Sequence, residues 1–238
     1  MAGLLAGAMN AIAGGGSFVT FPALVFVGLP PVIANATSTV ALLPGTIASS
    51  WAYRKGIGGI GGLPMRVLLP VTLVGGLIGA LLLLYTPSHT FDAVIPWLVL
   101  LATLVFAGGR ELVQGLSGRV KIGKAPVLIA QFLISIYGGY FGGAVGLMML
   151  AVWCLLDTAP LHAMAPARTV LVSTANGMAA LCFVLAGAVR WPEMLAMLFS
   201  AVAGGYLGAR GAGHLPPKVV RGCVIVLCAA VTVYFFRR

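Results

Sequence analysis

Eight runs of apolar residues, most of them close to twenty long, follow one another through the 238-residue chain with only short connections between them. They cover roughly 3–27, 34–52, 66–86, 92–109, 126–155, 161–187, 192–212 and 217–236. A helix rises 1.5 Å per residue, so about 20 apolar residues cross the ~30 Å hydrocarbon layer of a bilayer. The runs are continuous and lack the ten-residue alternation of a membrane barrel, so the expected fold is an all-α integral membrane protein. Composition agrees, with 61% of residues hydrophobic and 8% charged, where a soluble domain carries about 25% charged residues. At a mean hydropathy of +1.10 the chain has too little polar surface to face water. No charged stretch precedes Ala2 to Ala8 and no polar domain follows, so a cleavable leader is not expected and the chain is expected to begin inside its first membrane segment.

The net charge of +10 comes from 14 Lys and Arg against Asp92, Glu111, Asp157 and Glu193. In a soluble protein this excess would suggest nucleic acid. Here most basic residues fall in short connections between apolar runs, where they act as topology signals. The expected setting is therefore the inner or plasma membrane, multi-pass, with lipid as a partner and no nucleic acid. Cys154, Cys182, Cys223 and Cys228 lie within apolar runs without disulfide or metal-ligand spacing and read as small core residues. No metal or other cofactor is expected. Three scattered histidines and four acidic residues offer no nucleophile–base pair, so an enzyme is not expected, and no nucleotide-binding glycine–lysine motif is present.

The second half of the chain repeats the first. Gly14-Gly15-Gly16 aligns with Gly142-Gly143-Ala144, and Thr39-Val40 with Thr169-Val170. Gly75-Gly76-Leu77-Ile78-Gly79-Ala80 is answered by Gly204-Gly205-Tyr206-Leu207-Gly208-Ala209. The expected organisation is a first membrane repeat at 1–110, a basic linker at 111–125 and a second repeat at 126–238, with four segments in each half. If all eight segments span, the repeats are parallel; if segments 1 and 5 turn back at their glycines, the repeats are inverted. Charge bias puts ten basic residues inside and three outside either way. The glycines divide segment 1 into halves of about 11 residues that reach only ~17 Å, which favours broken or re-entrant segments and inverted repeats.

Glycine interruptions at matching positions of two membrane repeats point to a binding site between them. A half-helix starting near Ser17 would aim free N–H groups and its positive dipole end at a cavity, and segment 5 would do the same from Gly142 and Gly143. Gly14, Gly15 and Gly16 would let an oxyanion approach that backbone. The competing role for such glycines is close helix packing, which is the role expected for Gly75–Gly79 and Gly204–Gly208. Polar residues gather beside the breaks: Asn10 and Ser17; then Asn35, Thr37, Ser38 and Thr39, with Thr46, Ser49 and Ser50 following at helical spacing; and in segment 6 Thr169, Ser173, Thr174 and Asn176. Arg168 is the one basic residue well inside an apolar run, and no carboxylate in a membrane segment is placed to pair with it. A buried charge costs at least ~2.5 kcal/mol even on a lenient insertion scale, so a substrate anion is the expected counter-charge, with snorkelling to headgroups the rival. His162, Trp51, Tyr53, Trp191 and Tyr234 read as interfacial.

The glycine-rich break, Pro22, Gly28-Leu29-Pro30-Pro31 and an Ala-Thr-Ser-Thr opening resemble the TauE/SafE sulfite-exporter family. Tyr137-Gly138-Gly139-Tyr140-Phe141-Gly142 and His162-Ala163-Met164 resemble its second repeat. The resemblance covers nearly the whole chain and implies a permease exporting sulfite, organosulfonates or related small anions. It also implies binding at the glycine breaks and at the starts of segments 2 and 6. Relatives would carry an Asn shortly before the cation of segment 6; here that position is Ala165, while the cation is kept as Arg168. Export by alternating access, driven by membrane potential or an ion gradient, is the expected function, with an anion channel or a carrier of another small organic anion as the alternative.

Overall fold

The computed structural model describes residues 2–13, 16–54, 57–60, 62–116, 123–156, 161–211 and 217–237. These form ten helices: α1 (Ala2–Ala13), α2 (Ser17–Phe26), α3 (Pro31–Ala52), α4 (Met65–Tyr85), α5 (Ser88–Leu116), α6 (Lys124–Tyr140), α7 (Val145–Leu156), α8 (Leu161–Leu185), α9 (Trp191–Gly211) and α10 (Pro217–Arg237). The β pairing among the described residues is one isolated bridge, Ile60 with Leu63. Among the described residues, four stretches are long and apolar enough to cross a bilayer: Pro31–Ala52, Met65–Tyr85, Ser88–Val105 and Ala163–Leu185. Where the sequence predicts two glycine-broken segments, the chain forms the short pairs α1/α2 and α6/α7. A helix such as α2, with 10 residues, reaches only ~15 Å, about half of the hydrocarbon layer. Helix α5 continues to Leu116, into the stretch read from sequence as a linker, because the apolar pattern ends before the helical backbone does.

Large apolar side chains cover the outside of the bundle, including Leu82, Tyr85, Trp97, Leu104, Ile129, Leu133, Phe199 and Val202. Such a surface would aggregate in water and is suited to lipid. Inside, Phe21 on α2 stacks on Phe235 of α10 and meets Phe141 edge-on. A separate cluster joins Leu68, Val127, Met149, Trp153 and Leu171 across α4, α6, α7 and α8. Within it Trp153 donates to Gln131 Oε1 at 3.1 Å, and Gln131 donates to Thr72 Oγ1 at 2.9 Å. That buried chain satisfies every partner it names, which low-dielectric surroundings require.

Two helix pairs pack most closely, α4 with α6 and α1 with α9. In the first, a Cβ on Gly79 would overlap the Ile136 carbonyl; in the second, a Cβ on Gly204 would overlap the Leu4 carbonyl. Helices in lipid gain nothing from excluding water, so contact this close is what holds them together. Helices α3 and α8 run antiparallel, with Ser50 against Thr169 and Thr46 against Ser173. Helices α5 and α10 do likewise, with Thr103 against Thr232 and Trp97 against Phe236.

Substituting Gly79→Val drives a side chain into the α6 backbone. The expected cost is about 1–3 kcal/mol, typical of overpacking, read as a lowered melting temperature of the detergent-purified protein. An unchanged melting temperature would contradict the packing described.

Candidate functional site

A cavity of about 240 Å³ lies between α3 and α8 and reaches both broken segments. Helix α3 contributes Thr39, Leu42, Thr46 and Ser49, with Tyr53 just past its end; α8 contributes Arg168, Thr169, Val172 and Asn176. Ser17 opens α2 at one edge, and Phe141, Gly142 and residues 144–147 form the wall around the start of α7. Residues 39, 42, 46 and 49 recur every three or four positions, so they share one face of α3.

The wall at α7 depends on an abrupt reversal of the chain. Helix α6 ends as Phe141 and Gly142 both donate to the Tyr137 carbonyl. The backbone then passes through left-handed conformations at Gly142 (φ +82) and Ala144 (φ +58), the latter the one non-glycine residue with positive φ among those described. A left-handed residue bearing a Cβ costs roughly 1–2 kcal/mol. Ala144 then accepts the amides of Leu147 and Met148, starting α7. The amides of Val145 and Gly146 precede the first internal bond of the helix, and both residues line the cavity. Asn35, buried on α3, donates to the Tyr140 carbonyl at 2.9 Å and so occupies an acceptor that the break releases.

Arg168 comes from the second turn of α8, and its stem lies against α7. A Cβ on Gly146 would stand 3.2 Å from Arg168 Cδ and 3.4 Å from Cγ. Among the described residues the ion pair present is Arg190 with Glu193, exposed at the start of α9, and no hydrogen-bond acceptor meets the Arg168 guanidinium. The positive end of α7, equivalent to about half a charge, and a full guanidinium charge therefore line one cavity, and among the described residues no carboxylate pairs with that guanidinium. Deeper in, Asn176 Oδ1 is buried without a hydrogen-bond partner, facing the Gly142 turn.

Of the residues proposed from sequence, Ser17, Thr39, Gly142, Arg168, Thr169 and Asn176 come together around this cavity. Others serve the bundle instead. Thr37 accepts the Arg190 amide at 3.1 Å, capping α9, and Ser38 pairs with Thr20 to tie α3 to α2. Ser173 bonds Ser50 at 2.7 Å and the Thr46 carbonyl at 2.9 Å, pinning α8 to α3. Gly143 lies against the Phe141 ring and Ala102, and Gly16 accepts the Thr20 hydroxyl at 3.2 Å. Gly14 and Gly15 lie outside the described residues, as does the side chain of Asn10. Thr46 and Ser49, which follow Thr39 at helical spacing in the sequence, line the cavity as well. Tyr53, read as a belt aromatic, lines the cavity.

Bilayer-length helices with apolar exteriors around a polar cavity define a multi-pass helical membrane protein. The chain belongs to the sulfite exporter TauE/SafE family, whose profile matches residues 1–235. It is 28% identical over 230 residues to the "Probable membrane transporter protein YfcA" of Escherichia coli, covering 96% of this chain and 85% of that one. It is also 28% identical to a "Probable membrane transporter protein" of Haemophilus influenzae, covering 97% of this chain and 90% of the relative. A Sinorhizobium protein, "Probable membrane transporter protein ORF9", is 26% identical over 98% of this chain and 89% of its own length. No solved structure matches the chain. The class is thus a membrane transporter family.

Gly146→Val would displace the Arg168 stem without altering any polar group. As a check on the anion-carrier reading proposed below, affinity for sulfite measured by calorimetry is expected to fall about tenfold, or ~1.4 kcal/mol, with the melting temperature little changed. Unaltered affinity would show that the position of Arg168 against α7 does not matter.

Proposed function

We propose that the protein carries a small anion, such as sulfite or an organosulfonate, out of the cell across the inner or plasma membrane. The observation that carries this reading is Arg168: a guanidinium with no carboxylate partner among the described residues, sharing a cavity with the start of α7, where an oxyanion is the natural counter-charge. Charge placed deep in a membrane is expensive and in general faces a cavity or a partner. Ser17, Gly142, Thr169 and Asn176 would supply hydrogen bonds and backbone access around the same anion. The hydroxyls of Thr39, Thr46, Ser49 and Thr169 donate to carbonyls of their own helices. Such bonds are easily exchanged, so they would hold an anion without trapping it.

Alternating access between two inverted repeats is the proposed mechanism. It is supported by α3 and α8 running antiparallel although their sequences correspond, and by the same relation between α5 and α10. The first repeat would be 1–110 and the second 126–238. The cavity lies towards the end of α3 marked by Tyr53 and Arg54, beside the loop that precedes Arg66. The positive-inside rule makes that the cytoplasmic side, so the present arrangement would admit an anion from within. Membrane potential, negative inside, then favours departure by ~2.3 kcal/mol per monoanion per 100 mV; an ion gradient is the other possible drive.

The test is flux of sulfite and small sulfonates from liposomes holding the purified protein at a set potential, with wild type beside Arg168→Ala and Arg168→Lys. Saturable wild-type flux is expected, falling at least tenfold in the alanine variant. The lysine variant should be intermediate, since it keeps the charge and loses the planar fork. Equal flux in all three would remove Arg168 from the site. Flux that needs a proton or sodium gradient at clamped potential would exclude uniport.

A further inference from the structure

Helix α3 separates two spaces. One face lines the Arg168 cavity; the other, with α1 and α9, lines a second, largely apolar cavity of about 310 Å³. Leu42 and Ser49 belong to both walls. Across the second space Gly45 and Ala48 on α3 look towards Ala201, Gly205 and Tyr206 on α9.

The opposite side of the α3–α8 pair is closely packed where Gly76 meets Ala175. Helix α8 seats directly on α4, where a Cβ on Gly76 would lie 3.0 Å from Ala175 Cα and 2.9 Å from its carbonyl oxygen. In the register of the two repeats, Gly205 holds the position of Gly76 and Gly45 that of Ala175. That pair is apart: a Cβ on Gly205 would meet only the Gly7 backbone, at 3.6 Å. Corresponding seams are thus closed in one half and open in the other.

Helices α3 and α8 are fastened to each other. Ser50 and Ser173 share a 2.7 Å hydrogen bond, Ser173 donates to the Thr46 carbonyl at 2.9 Å, and Ser50 to the Thr169 carbonyl at 3.2 Å. On either side stand frames made by close glycine contacts, α4 with α6 and α1 with α9. The result is a bonded pair seated on one frame and, around Gly45 and Ala48, standing off the other, to which Thr37 still ties α3 at the start of α9. Closing the apolar gap would gain dispersion contacts on one side while opening the opposite seam loses them. Two seats of similar energy are what a two-state carrier requires.

We propose that α3 and α8 move as one unit, leaving the Gly76–Ala175 seat and closing Gly45 onto Gly205, and that this change of seat switches the Arg168 cavity from one side of the membrane to the other. The proposal rests on the carrier reading and on the register of the repeats, and adds the moving element and the seam that stops it. In this description Gly205 is needed for closure and not for the present seat.

Gly205→Leu fills the second cavity and is the first test. The variant should purify with wild-type stability and bind sulfite within twofold of wild type, while flux falls at least tenfold. A second construction, Gly45→Cys with Gly205→Cys in a protein whose four native cysteines are replaced by alanine, reports the movement itself. A disulfide needs Cβ atoms within about 4.5 Å, so an oxidant should cross-link the pair only through closure. Cross-linking should stop methanesulfonate flux and reduction should restore it; sulfite is avoided here because it cleaves disulfides. Full flux in Gly205→Leu, a pair that never cross-links, or a cross-linked protein with full flux would each overturn the proposal. Absence of flux in the cysteine-free parent would count against the carrier reading instead, and cross-linking, read by mass, would still decide whether the seam closes.

Discussion

A backbone amide in hydrocarbon must have an acceptor, and α1/α2 and α6/α7 each stop and restart inside the bundle. Every restart exposes amides that the new helix cannot satisfy itself, and every stop exposes carbonyls. At the end of α6 one such carbonyl, that of Tyr140, is answered by Asn35. The residues that open α7, Val145 and Gly146, line a cavity instead. Much of the site follows from that placement. The turn through Gly142 and Ala144 sets the direction of α7, the absence of a side chain at Gly146 gives Arg168 room to lie along it, and the polar faces of α3 and α8 enclose the rest.

Placing a guanidinium beside the positive end of a helix is unfavourable on its own. Both charges repel each other and both prefer water. The arrangement becomes favourable once an anion sits between them, which is the physical content of the carrier reading. The same reasoning explains why a partly open cavity is useful. A fully closed cation would bind an anion too strongly to release it, whereas hydroxyls already bonded to their own helices can exchange partners at little cost.

The lengths of some elements were legible in the sequence because apolar run length is read directly, though α5, Ser88–Leu116, outruns the apolar run 92–109. The predicted run at 161–187 and the helix Leu161–Leu185 differ only at the end. The packing role of Gly75, Gly79 and Gly204 was legible too, since small residues in register have few other uses between lipid-embedded helices. Arg168 stood out for its cost. The hydroxyls were harder to assign, because a Ser or Thr beside a break can face the cavity or a neighbouring helix. Thr37, Ser38 and Ser173 found partners at Arg190, Thr20 and Ser50, and no local pattern announces a partner on another helix. Tyr53 shows the converse: an aromatic at a helix end looks interfacial until the face it shares with Thr39 and Thr46 is seen to line a cavity.

The central claim is that an oxyanion rests between the Arg168 guanidinium and the first turn of α7. Anomalous diffraction from crystals grown with selenite, a heavier analogue of sulfite, addresses it directly. The account predicts a selenium peak in that cavity, within hydrogen-bond reach of Arg168 and of the amides that open α7, and no peak there in crystals of Arg168→Ala. Selenium bound elsewhere, with the cavity empty at saturating selenite, would contradict it.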